Sequence, residues 1–184
     1  MPYIILISGV PASGKTTYAR HIAEKLHIPF IGKDNIKEKL HDVLQYDTST
    51  QGNIQLYGMA SYSVFYHIAE CLMKADVSFI LESNFMLYSA EVLLPLVQKY
   101  NYSALTVLLD ADTEVLNKRF CERDVTNERH PGLKLPVHND FNDLSCATYR
   151  DFCVGEKITV DTTDFDKVDY NEIDAIVINF IKQC

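Results

Sequence analysis

Residues 9–16 read GVPASGKT, a match to Gly-x-x-x-x-Gly-Lys-Thr. The residue types and their spacing suit phosphate binding. Gly9 and Gly14 admit backbone angles closed to other residues. The N–H groups between them can point inward as a nest for anionic oxygens, and the helix that follows adds the positive end of its dipole. Lys15 can reach the β- and γ-phosphates, and the Thr16 hydroxyl is the expected magnesium ligand. Gly9, Val10, Pro11, Ala12, Ser13, Gly14, Lys15, Thr16 and Thr17 therefore form the candidate nucleotide site. A chance match in a glycine turn is the alternative. The context speaks against it, because the apolar run YIILIS precedes the motif and a helical pattern follows.

A phosphate cradle serves hydrolysis, switching or transfer alike. A guanine-reading switch needs Asn-Lys-x-Asp, but the Asn-Lys here is in NKRF (117–120), without the aspartate and inside a predicted helix. Transporter-type and helicase-type ATPases carry further motifs that this sequence lacks. A short chain with a polar lid fits phosphoryl transfer better, since a kinase must keep water from the γ-phosphate.

The elements that must position these residues alternate between strand and helix. Apolar runs predict strands at 3–8, 28–32, 77–83, 103–110 and 157–163. Helical spacing predicts helices at 15–26, 34–44, 57–75, 89–99, 112–124 and 170–182. Ser89 is read as a helix cap, and Pro95 is expected to kink its helix or shift its start. Ile173, Ile176, Val177, Phe180 and Ile181 form the expected buried stripe of the last helix. Residues 45–56 read as a polar loop, and about 124–145 as a lid. Five strands alternating with helices imply an α/β fold, a three-layer α/β/α P-loop NTPase with a parallel sheet. Ligands in such sheets bind beyond the carboxyl ends of the strands. That edge gathers Gly9–Thr16, Lys33, Asp34, Glu82, Asn84, Asp110 and Asp161–Thr163.

GVPASGKTTYAR, GKDNIKE (32–38), ESNF (82–85), RFCERDVTNERHPG (119–132) and ITVDTTDF (158–165), in that order, resemble the small P-loop kinases of the AAA_33 type. These are related to zeta toxins, chloramphenicol phosphotransferase and the kinase domain of phage polynucleotide kinase. The resemblance runs over nearly the whole chain and implies ATP and Mg2+ as cofactors. It implies that Asp34 takes the proton from the acceptor hydroxyl, although an aspartate there can also cap a helix. Lys33 either holds an acceptor phosphate or is solvated. Glu82 acts through magnesium-bound water or on the acceptor, or is simply a satisfied carboxylate at a strand end. Asn84 orients substrate. Arg119 and Arg123, four apart on one helix face, close on the transferring phosphate, or else form a solvated face with Glu122 and Asp124. Arg129 is a further candidate, and His130 reads as a loop residue. Asp161, Thr162 and Thr163 line the adenine through their backbone.

At 184 residues, 47% hydrophobic and 23% charged, the sequence suits one compact domain. Net charge −8 and the lack of a basic cluster argue against an extended nucleic-acid track. No run is long enough to span a membrane and no signal peptide is recognisable, so a cytoplasmic protein is expected. Cys71, Cys121, Cys146, Cys153 and Cys184 are odd in number and widely spaced, which predicts reduced thiols. The expected partner is a small-molecule acceptor: nucleoside, nucleotide, sugar or antibiotic. Tyr46, Tyr57, Tyr62, Phe65 and Tyr66 either stack on it or pack the core. A nucleotide-binding regulatory ATPase and a zeta-type toxin kinase are the rival readings.

Overall fold

The computed structural model describes residues 1–126, 129–134 and 141–184. Much of the expected lid, at 127–128 and 135–140, lies outside the described residues. Five strands, β1 (Tyr3–Gly9), β2 (Phe30–Gly32), β3 (Phe79–Glu82), β4 (Ser103–Asp110) and β5 (Glu156–Asp161), form one sheet in the order β2-β3-β1-β4-β5. Every pairing is parallel, and β1 lies at the centre.

Side chains alternate across a strand, and β1 shows how this builds two cores. Ile4 and Leu6 face one side with Phe65, Phe79, Leu81, Phe85, Leu93 and Phe152. Ile5 and Ile7 face the other with Tyr18, Ile22, Leu105, Val107, Val177 and Phe180. Helices α1 (Lys15–Leu26) and α7 (Tyr170–Gln183) cover the second side. Helices α3 (Gln51–Lys74) and α4 (Leu87–Lys99) cover the first. Helices α2 (Lys33–Leu44), α5 (Thr113–Val125) and α6 (Asp143–Arg150) stand nearer the carboxyl edge of the sheet. No helix among the described residues is long and apolar enough to cross a membrane.

Several elements differ from the sequence pattern. Helix α3 starts at Gln51, so the polar loop is shorter than 45–56. Its buried positions Ile54, Ser61, Phe65, Ala69 and Met73 keep helical spacing through the polar stretch, and packing overrides composition. Helix α6 was not expected. Asn142 caps it, accepting from the Ser145 N–H at 2.8 Å while Ser145 Oγ accepts from Asn142 N–H at 2.9 Å. Cys146 then packs on Val10 and Leu116, which docks α6 beside the phosphate loop. Helix α4 begins two residues before Ser89, whose hydroxyl accepts from the Met86 N–H from inside the first turn. The helix runs through Pro95, which is exposed, so the carbonyl freed by the missing N–H can turn to water.

In α7 the buried stripe is Ile173, Val177 and Phe180, whereas Ile176 is 40% exposed. Asp174 is buried among them. It accepts from Tyr18 Oη at 3.2 Å, lies 2.8 Å from His21 Nε2, and accepts from Lys25 Nζ at 2.8 Å. All three partners lie on α1, so a polar clasp joins α1 to α7.

Candidate functional site

The phosphate loop leaves β1 at Gly9 and enters α1 at Lys15. Gly9 is irreplaceable on steric grounds, since an added Cβ would meet the Leu109 carbonyl oxygen of β4 at 2.0 Å. Ala12 (φ 69) and Gly14 (φ 89) take left-handed angles, which turn the loop back on itself. Ser13 Oγ is buried with no hydrogen-bond partner among the described residues, a group that suits an incoming phosphate oxygen. The Lys15 ammonium is folded onto the loop and donates to the Val10 carbonyl at 2.8 Å.

This loop forms one wall of a cleft of about 710 Å³ at the carboxyl ends of β1, β2 and β3. Lys33, Asp34 and Lys37 of α2, Glu82 and Asn84 at the end of β3, and Arg123 and Arg129 also line it. Phe141, Ser145 and Tyr149, from α6 and the residues before it, complete the lining. Glu82 is placed by parallel register, level with Ile7 on one side and Gly32 on the other. Burial pushes its carboxyl up to about 7, against the pull of Lys15, while Asp34 adds to the rise and a hydrogen bond from Thr16 resists it. Burial likewise lowers the Lys15 ammonium to about 8, although Glu82 and Asp34 favour its charge. The Thr16 hydroxyl beside Glu82 is an oxygen-donor pair of the kind that holds magnesium. The loop, Ser13 and Lys15 fit the phosphates of a nucleotide, and Thr16 with Glu82 fits the metal.

Asp34 does not cap α2: the N-cap is Gly32, and no side chain caps the helix. The carboxylate instead accepts from Lys33 Nζ at 2.7 Å and faces the cleft. Burial opposes its charge, but Lys33, Lys15 and Lys37 outweigh burial and hold the carboxyl below its ordinary value. Lys33 is not a solvated side chain, since its ammonium lies 5.2 Å from the centre of the Tyr62 ring. Tyr62 in turn reaches Ser83 Oγ at 2.9 Å and the Asn84 carbonyl at 3.2 Å, which fixes the strand end beside Glu82.

Arg119 and Arg123 part company. Arg123 lines the cleft. Arg119 donates to the carbonyls of Thr162 and Thr163 at 2.8 and 2.9 Å, and its guanidinium stacks 3.8 Å from the centre of the Phe165 ring. The expectation that both close on one phosphate is not what the geometry shows. The free carbonyls after β5 draw Arg119 to the other side of the phosphate loop. There the Phe165 ring lies 2.9 Å from where a Gly14 Cβ would stand. Asp161 and Thr163 close their own turn at 2.8 Å, and Thr162 donates to the Asp110 carbonyl. This 161–165 corner therefore lies outside the cleft that holds Lys15 and Asp34.

The aromatic residues of 46–66 mainly pack. Phe65 is fully buried, and Tyr46 stacks on Tyr57 with ring centres 3.6 Å apart. The sequence reading missed Lys37, Tyr149 and Arg150. Lys37 was legible in GKDNIKE, one turn after Lys33. Tyr149 and Arg150 lie on the unforeseen α6, where Arg150 donates to Asp110 at 2.7 Å. His41, Asp42 and His130 also converge, with their ligand-capable atoms within 4.8 Å of one another. Both His130 nitrogens are engaged, Nε2 with Asp42 at 2.8 Å and Nδ1 accepting from the Gly132 N–H at 3.1 Å.

Solved structures share this architecture. A candidate kinase from Chloroflexus aurantiacus is 26% identical, with a TM-score of 0.81 over 99% of this chain and 97% of that one. A sugar kinase from Janibacter sp. aligns at 15% identity and a TM-score of 0.60, over 99% of this chain and 95% of that one. The Mycobacterium tuberculosis APS kinase, solved with AMPPNP and APS, aligns at 14% identity and 0.58, over 98% of each chain. No curated protein matches the chain. The fold is thus that of P-loop kinases, and since the sequence model of AAA_33, an AAA domain, matches residues 4–143, the chain belongs to that family.

Proposed function

We propose that the protein is a kinase that moves the γ-phosphate of ATP to a hydroxyl of a small acceptor. One observation carries this reading: Asp34, ionised and fixed by Lys33, faces the same cleft as Lys15, Thr16 and Glu82. The cleft of about 710 Å³ offers room for an acceptor beside the phosphate loop, which a hydrolase would not need. Kinase neighbours, one of them held with AMPPNP, support the adenine donor.

In this reading the loop amides and Lys15 hold the donor phosphates, with Lys15 released from the Val10 carbonyl. Thr16 directly and Glu82 through water hold magnesium, which when bound neutralises phosphate charge. Asp34 accepts a hydrogen bond from the acceptor hydroxyl and orients it. Its low basicity means that the proton transfers late, once attack has made the hydroxyl acidic, which suits a loose transition state. Arg123 meets the transferring phosphate from the far side. Arg119 shapes the 161–165 corner, where Asp161, Thr162 and Thr163 border the base. In this reading the chain is one kinase domain acting in the cytoplasm.

The test is an acceptor screen with ATP and magnesium that follows both ADP release and label transfer from γ-labelled ATP. Acceptor-dependent transfer is expected. ADP release at the same rate without any acceptor would favour a regulatory ATPase instead.

A further inference from the structure

The chain as a whole is acidic, with net charge −8, yet its cleft is the reverse. Lys15, Lys33, Lys37, Arg123 and Arg129 line it against the carboxylates Asp34 and Glu82. Such a local excess is not inherited from composition and marks the charge of what binds. Donor phosphates account for Lys15 and Arg123, and Asp34 accounts for Lys33. Lys37 is left over, with Arg129 lining the same cleft.

Lys37 is the more telling. It is 6% exposed, and among the described residues it makes no hydrogen bond or ion pair. A buried ammonium without a partner is costly, and native structures avoid it unless a ligand completes the site. It follows Lys33 by one turn of α2, on the face that carries Asp34 into the cleft, but farther from the helix start that abuts the sheet. Asp34 favours its charge at a distance but makes no hydrogen bond to it; the hydrogen bond that carboxylate accepts comes from Lys33 at 2.7 Å. Burial and Lys33, with Arg129, press the Lys37 ammonium down to about 8 although Asp34 favours its charge, so at neutral pH it remains mostly charged. Arg129 lies near enough to act on the Lys37 ammonium, its guanidinium 4.8 Å from the centre of the Phe120 ring.

We infer that the acceptor carries an oxyanion, a phosphate or carboxylate group distinct from the hydroxyl that is phosphorylated, and that Lys37 and Arg129 bind it beyond Asp34. This rests on the kinase reading for the word acceptor, while the anion site itself does not. In such a complex the anion anchors the far end of the molecule and swings its hydroxyl towards Asp34. A neutral acceptor would leave the buried Lys37 ammonium without a hydrogen-bonded counter-charge.

The test uses the full chain saturated with AMPPNP, so that no turnover occurs, and titrates matched compounds calorimetrically. Glucose 6-phosphate and gluconate are each set against glucose, and uridine monophosphate against uridine, which separates phosphate from carboxylate recognition. At least one anion should bind about 10- to 100-fold more tightly than its neutral partner, the range for a charged hydrogen bond. Lys37→Met, which keeps the stem and removes the charge, should lose that preference. Lys37→Arg should keep most of it, and AMPPNP affinity should hold throughout. Should Lys37→Met fail to fold, Arg129→Gln carries the same comparison. Equal binding of neutral partners, no saturable binding by any anion, or undiminished anion binding in the charge-removed variants would overturn the inference. Phosphoryl transfer is scored separately, so an anion that binds selectively but accepts no phosphate supports the site and counts against the kinase reading.

Discussion

His130 Nε2 lies 2.8 Å from Asp42 Oδ1, and this contact ties the turn after α5 to helix α2. The join is reinforced by close approach. A Cβ on Gly132 would meet the His41 Cβ at 2.6 Å, and Tyr46 Oη donates to the Gly132 carbonyl. Arg129 directly precedes this anchor. Replacing His130 by alanine should change stability little, because the pair is partly exposed. It should nonetheless raise KM for the acceptor several-fold by releasing Arg129, with nucleotide affinity unchanged. Thermal melts and steady-state kinetics check this, and an unaltered acceptor KM would show that the anchor is only structural.

Asp34 supplies the sharpest division between binding and chemistry. Asp34→Asn keeps the shape but cannot accept a proton, so transfer should fall by roughly 10²- to 10⁴-fold. AMPPNP should bind as before, because the loop and Lys15 do not need the carboxylate for their geometry. Wild-type transfer by this variant would remove Asp34 from the mechanism.

The clasp at Asp174 makes a prediction about stability alone. Burial opposes its charge, but Lys25, His21 and Tyr18 hold the carboxyl below its ordinary value. Its contribution is therefore complete above the unfolded carboxylate range, near 4, and is lost as pH falls through the lower folded value. Asp174→Asn should melt at a lower temperature than the parent at pH 7, by about 1–3 kcal/mol in stability. The gap should narrow towards pH 3. A gap that persists unchanged in acid would mean that packing, not charge, explains the loss.

Asp174 also shows where the sequence stops being legible. Hydrophobic periodicity located α7 but placed Ile176 in its buried stripe and was silent on Asp174, since what buries an aspartate is three partners on α1, remote in sequence. The alternation of strands with helices, the phosphate loop and the place of Asp34 just beyond the second strand were readable because local spacing and turn chemistry determine them. The divergence of Arg119 from Arg123 was not, because helix periodicity gives a shared face and not which carbonyls compete for it. Helix α6 was readable in principle from the Asn142–Ser145 capping pair, though its docking on Val10 depends on tertiary contact.

Glu82 and Lys15 together set the pH window. Glu82 must be ionised to work through magnesium-bound water, and its carboxyl sits at about 7 in the free protein, where burial raises it. Lys15 must be cationic to hold phosphate, and burial brings its ammonium to about 8. Activity should therefore rise as pH increases through about 7 and fall as it passes about 8, giving a narrow bell in kcat/KM, the parameter that reports free-enzyme ionisations. Glu82→Gln should be slowed by roughly 10²-fold or more. Its residual activity should lack the acid limb, because nothing is left at that position to ionise. Its alkaline limb should move to lower pH, since Lys15 then loses the carboxylate that most favours its charge. A profile in Glu82→Gln that keeps the limb near pH 7 would assign that ionisation elsewhere, and Asp34 would not be its source, since its carboxyl lies below the ordinary range.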